Sequence, residues 1–288
     1  MGYNRKNEFS GGLQVTINKE EAMGPLTGNR NIRMEDGGYT MFFNLFGKNK
    51  DEFITAYAGK LAEAVLEDAL DEDVLEELIH YAKEKDLSNK QLASAQAMAC
   101  DKVFEELYQE GYMTDEDYEL YQSLIESCYM MKEKEKYRYQ TIAKRCNAIY
   151  KIQEEGLLPK INPDYASVKY REGEALHFAA SAKLMKLSGT NEKGLVISKD
   201  SPFRAGSLKD PSNGPWKEDS NGALWITTER IGFRGKKEAF TLEIADLDHA
   251  ELDHGPLRFF EKGKEMPKAV RIDDYEMAGV ILTNLLQR

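Results

Sequence analysis

The chain has 288 residues, of which 41% are hydrophobic and 31% charged, so it is long enough for two ordinary domains and too apolar to be disordered. No run of about 18 apolar residues is present, which argues against a membrane-spanning helix, and the first residues lack the apolar stretch of a secretion signal. The three cysteines, Cys100, Cys128 and Cys146, follow no disulfide-framework spacing, so we expect reduced thiols and a cytoplasmic location.

The net charge of −11 is unevenly distributed along the chain. Residues 51–155 hold 12 Lys and Arg against 25 Asp and Glu, a net charge of −13, which leaves +2 for the remainder. Binding to a phosphate backbone depends on Lys and Arg displacing counterions, so the acidic half argues against a nucleic-acid partner. Any anion-binding site is therefore expected in the C-terminal half, and the acidic residues fit the solvated surface of a helical bundle.

Residues 1–48 are predicted to be an irregular segment, because several glycines interrupt any long element. Residues 13–17 alternate between apolar and polar side chains and predict one short strand. An aromatic run follows, with six large apolar side chains in eight positions: Tyr39, Met41, Phe42, Phe43, Leu45 and Phe46. This run either packs on the helices that follow or forms an interface.

Residues 49–156 are predicted to form an acidic α-helical domain, because apolar residues recur there at helical spacing. Ser88 and Thr114 have the residue types and positions of helix N-caps, and Asp117 occupies the third position of a capping box. Gly156 is expected to end the last helix.

The segments Leu70–Ile79 and Glu110–Asp117 each place an acidic turn before the start of a helix. In this respect residues 53–129 resemble the TerB-like (tellurite-resistance) helical bundles. The resemblance implies an association with bacterial stress or phage-conflict systems. It also implies that acidic clusters can hold a metal ion, and the candidates are Asp71, Asp73, Asp115 and Asp117. Helix capping is the competing interpretation, because neither run has the Asp-x-Asp-x-Asp-Gly pattern of a calcium loop.

From residue 157 onwards the apolar period changes from helical to strand-like, which predicts a β-domain over residues 157–288. Strands are expected within 174–187 and 194–198, with a further short strand starting at Arg204 and an exposed loop over 210–221. Residues 222–235 alternate, turn at Thr228-Glu229 and alternate again, which is the pattern of a β-hairpin. A closing helix is expected to start at Asp273.

The hairpin pattern Gly222–Gly235, preceded by Glu172–Phe178 and followed by Gly263–Pro267, resembles bacterial GRAM and pleckstrin-homology-like domains. The resemblance implies an α+β chain: an N-terminal all-α bundle, then a PH/GRAM-like seven-stranded open β-barrel capped by a C-terminal helix. Members of this fold bind lipids, peptides or proteins. In phosphoinositide-binding relatives, basic residues in the loop after the first strand hold the headgroup. The matching loop here, residues 187–193, departs from that pattern with one Lys and one Glu.

Basic residues of the C-terminal half are the candidates for binding an anion or an anionic lipid. They are Lys183, Lys186, Arg230, Arg234, Lys236 and Lys237. Arg230 has a competing structural interpretation, in which its guanidinium pairs with a carboxylate such as Glu229 or Asp246.

Motifs of nucleophile elbows, phosphate loops and dinucleotide-binding turns are missing from the sequence. His249, Asp253 and His254 lie close together, but zinc needs three or four convergent ligands, so a solvated turn is the better interpretation. We therefore predict a non-enzymatic intracellular binding or adaptor protein that acts through protein contacts and needs no cofactor. The alternatives are a peripheral membrane sensor that binds anionic lipid through the C-terminal domain, and a metal-dependent enzyme with an acidic site on the helical domain.

The aromatic run Tyr39–Phe46 generates a prediction about assembly. A helix or a strand would place these side chains on more than one face, and burying each is worth about 1.5–3 kcal/mol. A symmetric homodimer would cover the second face, whereas the alternative is that the β-domain of the same chain covers it. Light scattering of the wild type and of Phe43→Asp and Phe46→Asp decides between them. A dimer that dissociates in both variants is expected, and a wild type that is monomeric at micromolar concentration would exclude it.

Overall fold

The computed structural model describes residues 48–162, 168–188, 194–207, 216–252 and 256–288. Within these ranges the chain is α+β, with N-terminal helices followed by an open antiparallel sheet and a C-terminal helix. The strand expected at residues 13–17 and the interface expected at the aromatic run both lie outside the described residues. They stay predictions.

The chain divides into two compact units, one ending at Tyr150 and the other running from Lys151 to Arg288. We call them the helical unit and the β-unit. The described helices before the sheet are α1 (Lys48–Leu66), α2 (Glu72–Glu84), α3 (Asn89–Leu107), α4 (Asp115–Ser127) and α5 (Glu133–Glu155). Among the described residues, none of the helices has both the length and the apolar character needed to cross a membrane.

Two helices of the helical unit, α3 and α4, begin at the caps that the sequence predicts. Ser88 and Gln91 form a capping box at the start of α3, and Thr114 and Asp117 form another at the start of α4. The core beneath is made of the apolar positions that recur along each helix, and α1 packs chiefly against α3. The main contributions of α1, α3 and α4 to this core are Tyr57, Leu61, Val65, Ala95, Ala99, Val103, Tyr121, Leu124 and Ile125.

The β-unit contains one antiparallel sheet and a helix. Its elements are β1 (Leu176–Leu187), β2 (Leu195–Ile197), β3 (Trp216–Thr227), β4 (Arg230–Gly235), β5 (Ala239–Glu243), β6 (Leu247–Leu252), β7 (Leu257–Glu261), β8 (Lys268–Arg271) and α6 (Tyr275–Gln287). The strand order is β2-β6-β7-β8-β1-β3-β4-β5. The β3–β4 hairpin turns at Thr228-Glu229, where the sequence predicts it.

Strand β1 joins two sets of strands that are each consecutive in sequence. It pairs with β3 from Leu176 to Leu187, but with β8 only from Lys183 to Met185. On one side β3, β4 and β5 follow one another as a meander, and on the other side β6, β7 and β8 do the same. The two sets are therefore connected through a short ladder near the end of β1.

Three expectations that involve the segment between β1 and β3 need correction. The described sheet has eight strands where seven were expected, because β2 pairs with β6 at the far edge of the sheet. No strand starts at Arg204, and the loop expected over residues 210–221 ends sooner, since β3 begins at Trp216. Residues 216–221 are mostly polar, and their pairing with the end of β1 makes them a strand despite that composition.

The core of the β-unit lies between the sheet and α6. Seven of the helix residues are buried: Ala278, Gly279, Val280, Ile281, Leu282, Thr283 and Leu285. Phe203, from the segment between β2 and β3, is also buried there, and its backbone N–H donates to the Thr283 hydroxyl at 2.9 Å. Gly279 leaves space for its ring, because a Cβ atom at Gly279 would lie 2.6 Å from Phe203 Cδ1.

Two Gly→Ala substitutions distinguish the effect of helix propensity on stability from the effect of this close packing. Alanine in a helix interior is worth up to about 1 kcal/mol more than glycine, so Gly59→Ala in α1, where the new Cβ meets nothing within 4 Å, is expected to stabilise the helical unit. Gly279→Ala gains the same amount but overpacks a buried ring, which costs about 1–3 kcal/mol, so we expect a net loss.

Urea unfolding measures both effects. The two tryptophans, Trp216 and Trp225, lie in β3 and report on the β-unit by fluorescence, while circular dichroism follows the helices. A Gly279→Ala variant as stable as the wild type would mean that Phe203 does not seat against α6 as described.

Candidate binding site

Arg230 lies in a buried ion pair and not on a binding surface. Its Nε and Nη2 atoms donate to the two carboxylate oxygens of Glu174, at 2.9 and 2.6 Å. The Glu174 side chain is fully buried, and the Arg230 guanidinium lies 5.5 Å from the ring centre of Trp225. The structural interpretation of Arg230 therefore fits, but the partner expected from the sequence was wrong. Glu229, one of the two carboxylates suggested by the sequence, pairs instead with Arg171 at 3.0 Å.

The Glu174 carboxylate holds the turns at this end of the sheet together. It also accepts hydrogen bonds from the Thr227 hydroxyl at 2.5 Å and the Arg171 backbone N–H at 2.8 Å. Burial alone would raise the pKa of Glu174, but the hydrogen bonds from Arg230, Thr227 and Arg171 outweigh burial and lower this pKa to about 2. The group is therefore a structural carboxylate that stays ionised.

Lys183 and Lys186 are also neutralised within the β-unit. Lys183 Nζ lies 2.7 Å from Glu218. Lys186 Nζ lies 3.0 Å from Asp219 and 2.7 Å from Glu238, and these carboxylates raise the pKa of Lys186, Glu238 most. Each ammonium group is therefore already partly neutralised by carboxylates of the same unit.

The remaining candidates lie at the opposite end of the hairpin from Arg230. Arg234, Lys236 and Lys237 are exposed at the end of β4 and in the turn to β5. Six residues of strand separate Arg230 from Lys236, or about 20 Å. The six candidate residues therefore do not form one site, although Glu238 brings the β4–β5 turn to Lys186.

An apolar depression lies beside this turn, where β1 and β8 separate. β1 pairs with β8 up to Met185, opposite Ala269, and then continues for two residues alongside β3 alone. The gap is a cavity of about 150 Å³. Its lining is mostly apolar and comprises Leu184, Met185, Lys186, Leu187, Trp216, Glu238, Met266, Pro267, Lys268 and Ala269. We call this site the apolar depression.

The size and lining of the apolar depression limit what it can bind. Its volume is well below the roughly 300–1,000 Å³ of pockets that enclose small molecules. At its edge Met266 is 67% exposed, an unusual position for a large apolar side chain, while Trp216 is half-buried. Such a site suits one apolar side chain of a larger partner. No sequence pattern predicts this site, because it lies where the pairing of β1 with β8 ends.

A second buried ion pair, which the sequence did not indicate, lies behind Trp216. Arg258 and Glu251 face each other across β7 and β6, with Nη2 and Oε2 3.0 Å apart and both side chains buried. The Arg258 guanidinium lies 6.0 Å from the Trp216 ring centre. His249 stacks on Phe260 at 4.3 Å, whereas Asp253 and His254 lie outside the described residues.

The carboxylates considered as metal ligands act at helix starts. Asp71 accepts the Val74 N–H at 2.9 Å, and Asp117 accepts the Thr114 N–H at 3.0 Å. Asp115 accepts a hydrogen bond from the Asn147 amide at 2.7 Å, and Asp73 is exposed in the first turn of α2. Over the ranges that the structure describes, no three His, Cys, Asp or Glu side chains are grouped so that they could hold a metal ion.

Comparison with known proteins gives no family assignment. The chain matches no protein-family model and no curated protein.

Acid titration of Glu174→Gln tests the buried ion pair. Removing one partner of such a pair is expected to lower the free energy of unfolding by about 3 kcal/mol at neutral pH. Because the folded pKa of Glu174 is lowered to about 2, its stabilisation is complete above the ordinary glutamate pKa and is lost as the pH falls towards 2. The difference in free energy of unfolding between wild type and variant should therefore shrink as the pH falls from the ordinary glutamate pKa to about 2. Urea unfolding followed by tryptophan fluorescence measures it.

Glu229→Gln is the matched control. It removes a carboxylate from an exposed ion pair in the β3–β4 turn, next to Arg230, so it should cost less than about 1 kcal/mol at every pH. Equal losses in the two variants would contradict the structural role given to Glu174.

Proposed function

We propose that this chain is a non-enzymatic binding or adaptor protein whose β-unit has a PH/GRAM-like fold. The strand order supports the fold. Without β2, the sheet reads β6-β7-β8-β1-β3-β4-β5, which is seven strands in two meanders, followed by the C-terminal helix α6. β2 then belongs to an insertion between the first two strands of that fold.

The proposed binding site is the apolar depression, which takes an apolar side chain of a protein partner. The observation that carries this proposal is the exposure of Met266 beside Trp216, at the edge of a cavity with a mainly apolar lining. Isolated exposed apolar side chains need no explanation, but one that borders an apolar cavity is a common feature of docking sites.

Anionic lipid is a weaker candidate for this site. A headgroup site needs cations that point at the phosphate, and of the two lysines that line the depression, Lys186 is already held by two carboxylates, Asp219 and Glu238. Lys268 is then the one lining lysine without an ion pair among the described residues, and the mainly apolar lining favours a polypeptide.

We propose that the fold of the helical unit is TerB-like. This unit gives the adaptor a second surface, which is acidic where the depression is apolar. Between residues 61 and 82 the chain holds eight Asp and Glu and neither Lys nor Arg, and all eight are exposed on or beside α1 and α2. A binding protein with an acidic unit and a separate apolar depression can engage two partners of different chemistry.

Site-specific photo-crosslinking tests the proposal. A photoreactive amino acid is placed at Met266 of the full-length chain, in the native host, and cross-linked products are resolved by mass. We expect a defined protein adduct at Met266, lost when Trp216 is changed to Ala. Leu157 is the matched control, because it is another exposed apolar side chain of the β-unit, 58% exposed, and lies outside the depression. The same adducts from both positions, or adducts to lipid alone, would contradict the proposal.

A further inference from the structure

The ion pairs of the β-unit leave an excess of positive charge around the apolar depression. Of the exposed lysines that line it or lie within two residues of a lining residue, Lys183, Lys186 and Lys264 are paired with carboxylates, and four others are not: Lys217, Lys236, Lys237 and Lys268. None of these four forms an ion pair with any residue that the structure describes. We call them the rim lysines.

The carboxylates near the depression do not offset this charge. Glu218 is paired with Lys183, and Glu238 is paired with Lys186. Glu265, next to Met266, is the one described carboxylate in the same span that has no ion pair. The uncompensated charge is therefore four positive against one negative, on a chain whose net charge is −11.

We propose that the occupant of the apolar depression is an acidic polypeptide segment, with an apolar anchor residue flanked by Asp or Glu. This inference rests on the proposed function and adds the chemistry of the partner. The anchor fills the cavity beside Met266 and Trp216, and the flanking carboxylates pair with the rim lysines. Complementary charge at the rim of an interface sets partner choice and speeds association, while the buried anchor supplies most of the affinity.

The geometry favours a peptide over an anionic membrane for the same lysines. Apolar side chains that insert together strengthen a membrane contact, and Met266 is the one large apolar side chain with more than a third of its surface exposed among the described residues that line the depression. A peptide needs only one cavity for its anchor. The rim lysines can then meet carboxylates on either side of it.

Selection from a phage-displayed library of random short peptides on the immobilised full-length chain tests this inference. We expect the selected peptides to be enriched in Asp and Glu around an apolar residue, relative to the unselected library. Binding of a selected peptide should disappear in Met266→Asp, and its affinity should fall about tenfold in Lys236→Glu/Lys237→Glu at low salt. The loss should shrink as salt is raised, because the lysines are exposed.

Two matched controls make the same kinds of substitution, a charge reversal and an apolar-to-Asp change, at exposed residues outside the depression. Lys199→Glu reverses an exposed lysine beside β2, and Leu157→Asp removes an exposed apolar side chain, so both should bind like the wild type. Urea unfolding of each variant excludes loss of folding as the cause of lost binding.

The possible outcomes separate this inference from the proposed function. Peptides that depend on Met266 but are neutral or basic would overturn the acidic partner and leave the binding site standing. Failure to select any Met266-dependent peptide would overturn both. Binding of the wild type to vesicles of phosphatidylcholine and phosphatidylserine, lost in Lys236→Glu/Lys237→Glu and indifferent to selected peptides, would assign the rim lysines to a membrane.

Discussion

Strand β1 is the constraint on which the β-unit depends, because it pairs with one strand of each meander. It pairs with β3 over its whole length but with β8 over only three residues, so the two sets of strands must part where that short ladder ends. The apolar depression is the gap that remains between them. A longer ladder would close the gap, and a shorter one would leave the two meanders without a connection through hydrogen bonds.

Carboxylates decide which basic residues of the β-unit can meet a ligand. Glu174 forms an ion pair with Arg230, while Glu218, Asp219 and Glu238 form ion pairs with the two lysines of β1. What remains is a set of exposed lysines around an apolar cavity. A cluster of basic residues in a sequence can therefore suggest an anion-binding site although most of these residues are paired with carboxylates of the same protein. Which of them are paired depends on the acidic residues that neighbouring strands bring next to them.

Local features of the fold could be predicted from the sequence. The caps at Ser88 and Thr114 and the turn after Thr227 depend on side chains within a few residues of each other, and all three are confirmed. Features that depend on strand register could not. Three examples are the pairing of β2 with β6, the Arg258–Glu251 ion pair and the Arg230–Glu174 ion pair. Each joins residues that are close only after the sheet has formed, so no local sequence pattern predicts them. The apolar depression is the feature least predictable from the sequence, since it lies where the pairing of β1 with β8 ends, at Met185 and Ala269.

The central claim is that the apolar depression is the part of the β-unit that a partner occupies. Methyl NMR of the methionines tests it most directly, because Met185 and Met266 both line the depression, whereas Met113 is buried in the helical unit. On titration with an acidic peptide that carries one apolar anchor, the account predicts that the methyl signals of Met185 and Met266 shift together while that of Met113 stays in place. Unchanged Met185 and Met266 signals with a peptide bound elsewhere, or a Met266 signal that responds only to anionic vesicles, would contradict it.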